Sequence, residues 1–239
     1  MRFRHALVTG ANRGLGLAFV RQLLTAGSHV VAACRHPGKA TALNLLAGEH
    51  PGRLHVLPLD VAEPKSHAEL ARELPLVLGE GDDGASRLDL LVNNAGVLHS
   101  GERFGHLSAA NFDDSFRTNA TGPLLLTQAL APWLADGARV VNLSSRLGSI
   151  ALTTRFGTPS YNLGKAALNM ATVLLAQALA ERGIVVVALS PGWVRTDMGG
   201  SDAELDPAQA VAGLLRVAEG LQPGDSGRFL DWQGESIPW

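Results

Sequence analysis

The stretch His5-Ala6-Leu7-Val8-Thr9-Gly10-Ala11-Asn12-Arg13-Gly14-Leu15-Gly16 decides the fold. A short apolar run is broken by Gly10, and after Gly14 the period changes. Leu17, Val20 and Leu24 then share one helical face, and Gly27 suits the cap at its end. Glycines between a strand and a helix permit a tight turn and a close approach of backbone to a ligand. A helix N-terminus with free N–H groups favours a phosphate. Gly10, Asn12, Arg13, Gly14, Leu15 and Gly16 are therefore candidates for holding a dinucleotide pyrophosphate. The other reading is a glycine-rich turn with no ligand; the context after a strand and before a helix is the one the binding mechanism requires.

Working outward, the same alternation repeats. His29–Ala33 is a continuous apolar strand, as expected of a strand covered on both faces. A helix near 38–47 leads to a strand at Leu54–Leu57, and a helix near Pro64–Leu78 to a strand at Asp89–Val92. A long helix near Ala109–Leu134 leads to a strand at Arg139–Leu143. A helix near Tyr161–Arg182 leads to a strand at Ile184–Leu189. A last helix near Pro207–Ala218 precedes a short strand at Arg228–Leu230. Strands alternating with helices predict an α/β fold, a parallel sheet with helices on both faces. Gly79–Ser86 reads as a short flexible surface loop. The tail Asp231–Trp239 has no clear period and contains two tryptophans.

The 239 residues suffice for one large domain, taken as 1–239, and 46% hydrophobic content with mean hydropathy +0.12 allows a substantial core. A net charge of −2 makes no electrostatic case for nucleic acid or an acidic membrane. The single cysteine, Cys34, cannot form an internal disulfide, and no zinc-type cluster or other metal site is expected. No apolar run is long enough to span a bilayer or to form a signal-peptide core. These features predict a cytoplasmic protein.

The residue ending the second strand selects between dinucleotides. A carboxylate there would bind a ribose 2′-hydroxyl and repel a 2′-phosphate. Here Cys34 is followed by Arg35, and Arg13 can approach the same point. Two guanidinium groups favour a 2′-phosphate, so NADP(H) is preferred, with NAD(H) possible. Arg35 also reads as a solvated loop arginine. Asp60-Val61 is placed to read the adenine ring, and Asp60 equally suits an N-cap before Pro64. Asn93, Ala95 and Gly96 suit a close approach to ribose, or simply an Asn/Gly turn. Pro191-Gly192-Trp193-Val194-Arg195-Thr196 follows the sixth strand, where a turn can close over a nicotinamide.

The chemistry is placed at Ser160-Tyr161-Asn162-Leu163-Gly164-Lys165. Tyr161 and Lys165 leave the same helix face one turn apart. A phenol beside a fixed ammonium is expected to fall from its ordinary pKa near ~10 toward neutrality and to exchange protons at physiological pH. Tyr161 is the chain's one tyrosine. The same spacing also describes an ordinary exposed helix pair. Ser144-Ser145, at the end of the fifth strand, offers a donor to a carbonyl oxygen, or a loop cap. Asn119, inside an apolar helix, reads as one end of a water bridge toward Lys165 or as a satisfied core residue.

Taken in order, Thr9–Gly16, Asp60-Val61, Asn93–Gly96, Asn119–Gly122, Ser144-Ser145, Tyr161-x-x-x-Lys165 and Pro191–Thr196 resemble the short-chain dehydrogenase/reductase family over nearly the whole chain. The ending Gly-Arg-Phe-Leu-Asp-Trp-Gln-Gly-Glu-Ser-Ile-Pro-Trp resembles the C-factor-like and sniffer-type carbonyl reductases. The resemblance implies one doubly wound Rossmann domain with a mainly parallel seven-stranded sheet, order 3-2-1-4-5-6-7. It implies Tyr161 as general acid or base, Lys165 lowering its pKa and holding the nicotinamide ribose, Ser145 polarising the substrate carbonyl, and Asn119 keeping a water in the proton path. Two departures stand out: Gly164 where the family often has serine, and a lengthened Ser145-to-Tyr161 gap, with the extra residues in Ser149–Pro159.

The expectation is an NADP(H)-dependent oxidoreductase interconverting a carbonyl and an alcohol. Leu147, Phe156 and Trp193 are candidate substrate contacts, or core packing. The alternatives are an NADP(H)-binding sensor or signalling protein with little turnover and, disfavoured by length, a sugar-nucleotide epimerase or dehydratase. In Ala120–Leu134 and Ala166–Leu179 the apolar and small residues go nearly all round, which predicts a homodimer or homotetramer through the helices near 109–134 and 161–182.

Overall fold

Strand β1 (His5–Thr9) is buried along its whole length, as a strand covered on both faces should be. In the computed structural model, which describes residues 3–81 and 84–239, its side chains alternate between two cores. Ala6 and Val8 enter one with Phe19, Val20 and Leu24, while Leu7 enters the other with Leu70, Leu126 and Leu130. The strand is thus the centre of a sheet with helices on both sides.

The remaining strands of that sheet are β2 (His29–Cys34), β3 (Leu54–Pro58), β4 (Leu88–Asn93), β5 (Leu134–Leu143), β6 (Val185–Ser190) and β7 (Phe229–Asp231). They form a 7-stranded sheet in the order β3-β2-β1-β4-β5-β6-β7, every pair parallel, as the resemblance implies. The chain winds one way from β1 to β3, then returns beside β1 with β4. At that reversal the loops after β1 and β4 part, and a crevice opens at the carboxyl edge of the sheet.

Helices α1 (Gly14–Thr25) and α2 (Thr41–Glu49) cover one face together with a late helix, Pro207–Gly220. The other face carries α3 (Pro64–Leu78), α5 (Gly122–Leu130) and α6 (Pro159–Ala178), and α4 (Ala109–Phe116) packs on α6; the late helix is α7. Gly27 follows α1 at φ 93, and its amide donates to the Leu24 carbonyl at 3.0 Å, closing the helix as expected.

Three local expectations are corrected. The helix expected over Ala109–Leu134 is two helices joined by a widened π-type turn at Arg117–Thr121, and β5 begins at Leu134 rather than Arg139. The turn has causes distant in sequence. The Asn119 side chain bonds Val97, and a Cβ on Gly122 would lie 2.4 Å from the Val61 carbonyl, so the helix is pressed against the loop after β3. Second, Gly79–Ser86 is not wholly loop: Glu80–Gly81 pairs antiparallel with Gly84–Ala85, and the intervening Asp82 and Asp83 lie outside the described residues. Third, the tail is organised. Trp239 stacks on Phe229 with centroids 5.5 Å apart, and the Ile237 amide donates to the Phe229 carbonyl at 2.9 Å. The Ser149 hydroxyl donates to the Pro238 carbonyl at 2.6 Å, tying the tail to the loop that leads into α6.

Candidate active site

The glycine loop gathers its cradle through close backbone contact. Gly10 and Gly14 adopt φ 61 and φ 54, which favour glycine. A Cβ on Gly16 would lie 2.3 Å from the Gly10 carbonyl oxygen and 2.6 Å from Asn94 Nδ2. Helix α1 opens at Arg13 with no side-chain cap and no acidic residue in its first turn. Its first N–H groups are thus left without side-chain acceptors, an arrangement that suits an anion.

That crevice has a volume of about 550 Å³. Gly10, Asn12, Arg13, Gly14 and Leu15 line one end, and Gly16 packs behind them. Arg35 lines the crevice after β2, joined by His36 and Lys39, which sequence reasoning did not single out. The available signal was a second basic side chain, Lys39, four residues past Arg35. Arg13 is held by Asp197 from the opposite wall, Nη1 to Oδ2 at 2.8 Å, with both side chains well exposed. Asp60 and Val61 line the crevice. The Asp60 carboxylate accepts from the Ala62 amide at 3.0 Å, making its own turn rather than capping α3. Buried His67 holds the Val61 carbonyl at 2.9 Å, and burial lowers its imidazole pKa.

Ala95 and Gly96 line the crevice, but Asn93 does not. Its amide is 2% exposed and donates to Thr127 Oγ1 and to Asn142 Oδ1, so it fastens β4 to α5 and β5 beneath the sheet edge. Asn94 faces the crevice instead and donates to the Thr9 and Gly10 carbonyls at 2.8 and 3.2 Å, clamping the glycine loop. On the far wall lie Pro191, Gly192, Val194 and Thr196, the last so near that a Cβ on Gly14 would sit 3.4 Å from its Cγ2.

Tyr161 and Lys165 stand one turn apart on α6, both buried, at 8% and 4% exposure, and both reach the crevice. Lys165 Nζ donates to the Leu143 carbonyl at 2.6 Å and lies 5.6 Å from the centre of the Tyr161 ring. Ser145 lines the crevice beside the phenol, and its hydroxyl accepts from the Leu147 amide at 3.1 Å. Ser144 serves the framework instead. Its hydroxyl donates to Asn169 Oδ1 at 2.6 Å, fixing the end of β5 on α6. The two serines point opposite ways, as neighbours leaving a strand do.

The expected fall of the Tyr161 pKa is corrected. Burial pushes the phenol up to about 12, against the lowering effect of Ser145, and burial also brings Lys165 down to about 8. The helical spacing gives proximity, but both groups leave water together. Loss of solvent acts on each more strongly than the neighbour does.

Asn119 is fully buried and lies off the crevice surface. Its side-chain oxygen accepts from the Val97 amide and its nitrogen donates to the Val97 carbonyl, each at 2.9 Å. The side chain is committed to the strip that carries Gly96 rather than extended toward Lys165. A Cβ on Gly96 would lie 3.1 Å from Asn119 Oδ1 and 3.7 Å from Lys165 Nζ, so the three are close neighbours. Gly164 serves the same packing: a Cβ there would meet the Ser115 carbonyl at 3.2 Å and Asn119 Cβ at 3.4 Å. Leu147 and Trp193 line the crevice mouth, with Leu98 and Met198 beside them. Phe156 does not; its ring meets Phe104 edge to face at 5.8 Å, away from the crevice.

Glycines at which a Cβ would strike neighbouring backbone, an uncapped helix start and a basic far end fit a dinucleotide with a 2′-phosphate. The family model for short chain dehydrogenases matches residues 4–206. The chain belongs to this family. Within it, the short-chain dehydrogenase is 47% identical to the C-signal of Myxococcus xanthus over 154 residues, 64% of this chain and 93% of that one. Its fold matches the NADPH-bound carbonyl reductase from chicken fatty liver with TM-score 0.92 at 39% identity, covering 100% of both chains. It matches the carbonyl reductase Sniffer of D. melanogaster with TM-score 0.92 at 32% identity, covering 99% of each. This short-chain dehydrogenase is thus an oxidoreductase by family, and its neighbours include sniffer-type carbonyl reductases.

Proposed function

We propose that this oxidoreductase uses NADP(H) to interconvert a carbonyl and an alcohol, with Tyr161 as general acid in reduction and general base in oxidation. One observation carries the reading. Ser145, the Tyr161 phenol and a buried Lys165 line one crevice, whose other end holds Arg13, Arg35 and Lys39. Asn12, Gly14 and Leu15 would hold the pyrophosphate, the basic residues the 2′-phosphate, and Lys165 with Tyr161 the nicotinamide ribose. Bound there, the nicotinamide supplies or accepts the hydride.

The protein's own part is the proton and the geometry. With a phenol at about 12 and an ammonium at about 8, Tyr161 is protonated and Lys165 charged at neutral pH. That is the state needed for reduction: Tyr161 gives its proton to the oxygen of the former carbonyl, and Ser145 donates a second hydrogen bond to it. Lys165, fixed by Leu143, opposes the negative charge left on the phenolate. In oxidation the same atoms run in reverse. Asn119, through Val97, holds the Gly96 wall of the crevice in place. The apolar mouth of Leu98, Leu147, Trp193 and Met198 suits a lipophilic aldehyde or ketone.

NADPH consumption by the purified protein with a panel of apolar aldehydes and ketones tests this reading, and direct titration with NADPH and NADH tests the cofactor. Tighter NADH binding would overturn the 2′-phosphate assignment. The likeness to C-signal favours a second reading, an NADP(H)-binding signalling protein with little turnover. Tight cofactor binding with no reduction across the panel would support it over the first. We further propose assembly into a dimer or tetramer through α4, α5 and α6, whose outer faces expose Phe116, Leu125, Leu163, Met170 and Leu174.

A further inference from the structure

Helix α6 begins in an unusual way. Thr158, the residue before its first turn, has φ 42 and ψ 51, and no other non-glycine residue among the described residues has positive φ. Its side chain caps nothing; the hydroxyl donates to Asn162 Oδ1 at 3.0 Å. The first turn of a helix leaves N–H groups in need of acceptors, and the residue that normally supplies one does not.

Glu102 supplies it from 58 residues away. One carboxylate oxygen accepts from the Ser160 amide at 3.1 Å and from the Ser160 hydroxyl at 2.9 Å. The other accepts from Asn111 Nδ2 at 3.4 Å, so the carboxylate is itself oriented by α4. Ser115, also on α4, donates to the Ser160 hydroxyl at 3.3 Å. The edge-to-face pair of Phe104 and Phe156 joins the same two loops a few residues further out. Ser160 is fully buried and immediately precedes Tyr161.

We propose that Glu102 is a positioning residue for Tyr161: it caps the catalytic helix from the loop between β4 and α4 and so sets where the phenol stands against Ser145. This rests on the carbonyl reductase reading for its kinetic consequence, though not for its structural one. A carboxylate at a helix N-terminus gains from the helix dipole as well as from its hydrogen bonds. Removing it leaves the Ser160 amide and hydroxyl to find other partners, and the first turn, with Tyr161 in it, loosens. The glycine loop and the basic end, which would hold the pyrophosphate and the 2′-phosphate, are untouched.

Because Tyr161 is the one tyrosine, protein labelled with 13C at the tyrosine ring carbon bearing oxygen gives a single NMR resonance that reports the phenol without any turnover. In Glu102→Ala, kcat is expected to fall roughly fivefold to thirtyfold, equivalent to about 1–2 kcal/mol at ~1.4 kcal/mol per tenfold. The affinity for NADPH changes little, because the glycine loop and the basic end carry most of it. The tyrosine resonance shifts, and its titration midpoint moves down from about 12 toward the ordinary 10.0 as water reaches the phenol. Glu102→Gln, which keeps an acceptor, recovers most of kcat. Wild-type kcat and an unmoved resonance in Glu102→Ala would overturn the proposal. Should that variant not fold, Ser160→Ala, which removes the hydroxyl arm alone, is expected to lower kcat about twofold to fivefold with the resonance shifted the same way, and no change in either would overturn it equally. If the wild type reduces no carbonyl, the functional reading fails, and the resonance alone decides on Glu102.

Discussion

Replacing Lys165 with methionine should make the protein more stable at neutral pH while disabling it. The ammonium is buried, and its pKa is about 8 against an ordinary 10.5. At ~1.36 kcal/mol per pH unit, holding the charge in the folded state costs about 3 kcal/mol. Methionine has a similar length and no charge. It leaves the Leu143 carbonyl without the donor now 2.6 Å away, a loss of about 1 kcal/mol. The net expectation at pH 7 is a gain of about 2 kcal/mol. The pH dependence separates this from a general packing effect. Below pH 8 folded and unfolded chains both carry the proton, and the wild type bears the whole cost. Between about 8 and 10.5 the unfolded chain keeps a proton that the folded one has released, so wild-type stability rises with pH. By pH 9.5 it has recovered about 2 kcal/mol, and the advantage of Lys165→Met has nearly closed. Above pH 10 Tyr161, whose pKa is raised, begins to act in the opposite sense, because the folded chain then holds the proton longer. Urea unfolding of both proteins at pH 7 and 9.5 reads the difference directly. A variant less stable than wild type at pH 7, or a difference that does not change with pH, would refute the reasoning.

Gly16→Ala forces a Cβ to within 2.3 Å of the Gly10 carbonyl oxygen, so the loop must open; a loss of about 1–3 kcal/mol in stability and weaker NADPH binding are expected from urea unfolding and fluorescence titration. Arg35→Ala should weaken NADPH by about tenfold to a hundredfold, as for a lost charge-assisted hydrogen bond, and leave NADH nearly unchanged. Asp197→Asn releases Arg13 from its 2.8 Å partner and should tighten NADPH by a few fold, no more, because exposed pairs are worth ~1 kcal/mol or less. Met170→Glu, on the exposed face of α6, should shift any dimer or tetramer seen by light scattering toward monomer.

Much of the fold was legible in the chain itself, and the limits have physical causes. The apolar run broken by Gly10 and the helical period after Gly14 located β1 and α1, and the repetition of that pattern predicted a parallel sheet. Tyr161 and Lys165 could be placed on one face because helical spacing is regular. The spacing held no information on burial, however, and burial reversed the expected direction of the phenol's pKa. Asn93 and Asn94 show the cost of a one-residue uncertainty at a strand end. Adjacent residues point to opposite sides, so the crevice received Asn94, and Asn93 went beneath the sheet. The broken helix around Asn119 depends on Val97 and Val61, contacts distant in sequence that no local period records. Phe156 lies in the lengthened loop, where its partner, Phe104, comes from another loop altogether.

The most direct test of the central claim compares Tyr161→Phe with the wild type in NADPH-dependent reduction of a carbonyl that the wild type accepts, with NADPH affinity measured on both. Phenylalanine keeps the ring and its burial and removes only the phenolic oxygen in the crevice beside Ser145. Cofactor binding is expected to change little and kcat to fall by about 10²–10⁴, the usual worth of a placed proton donor. Turnover by Tyr161→Phe equal to that of the wild type would contradict the account.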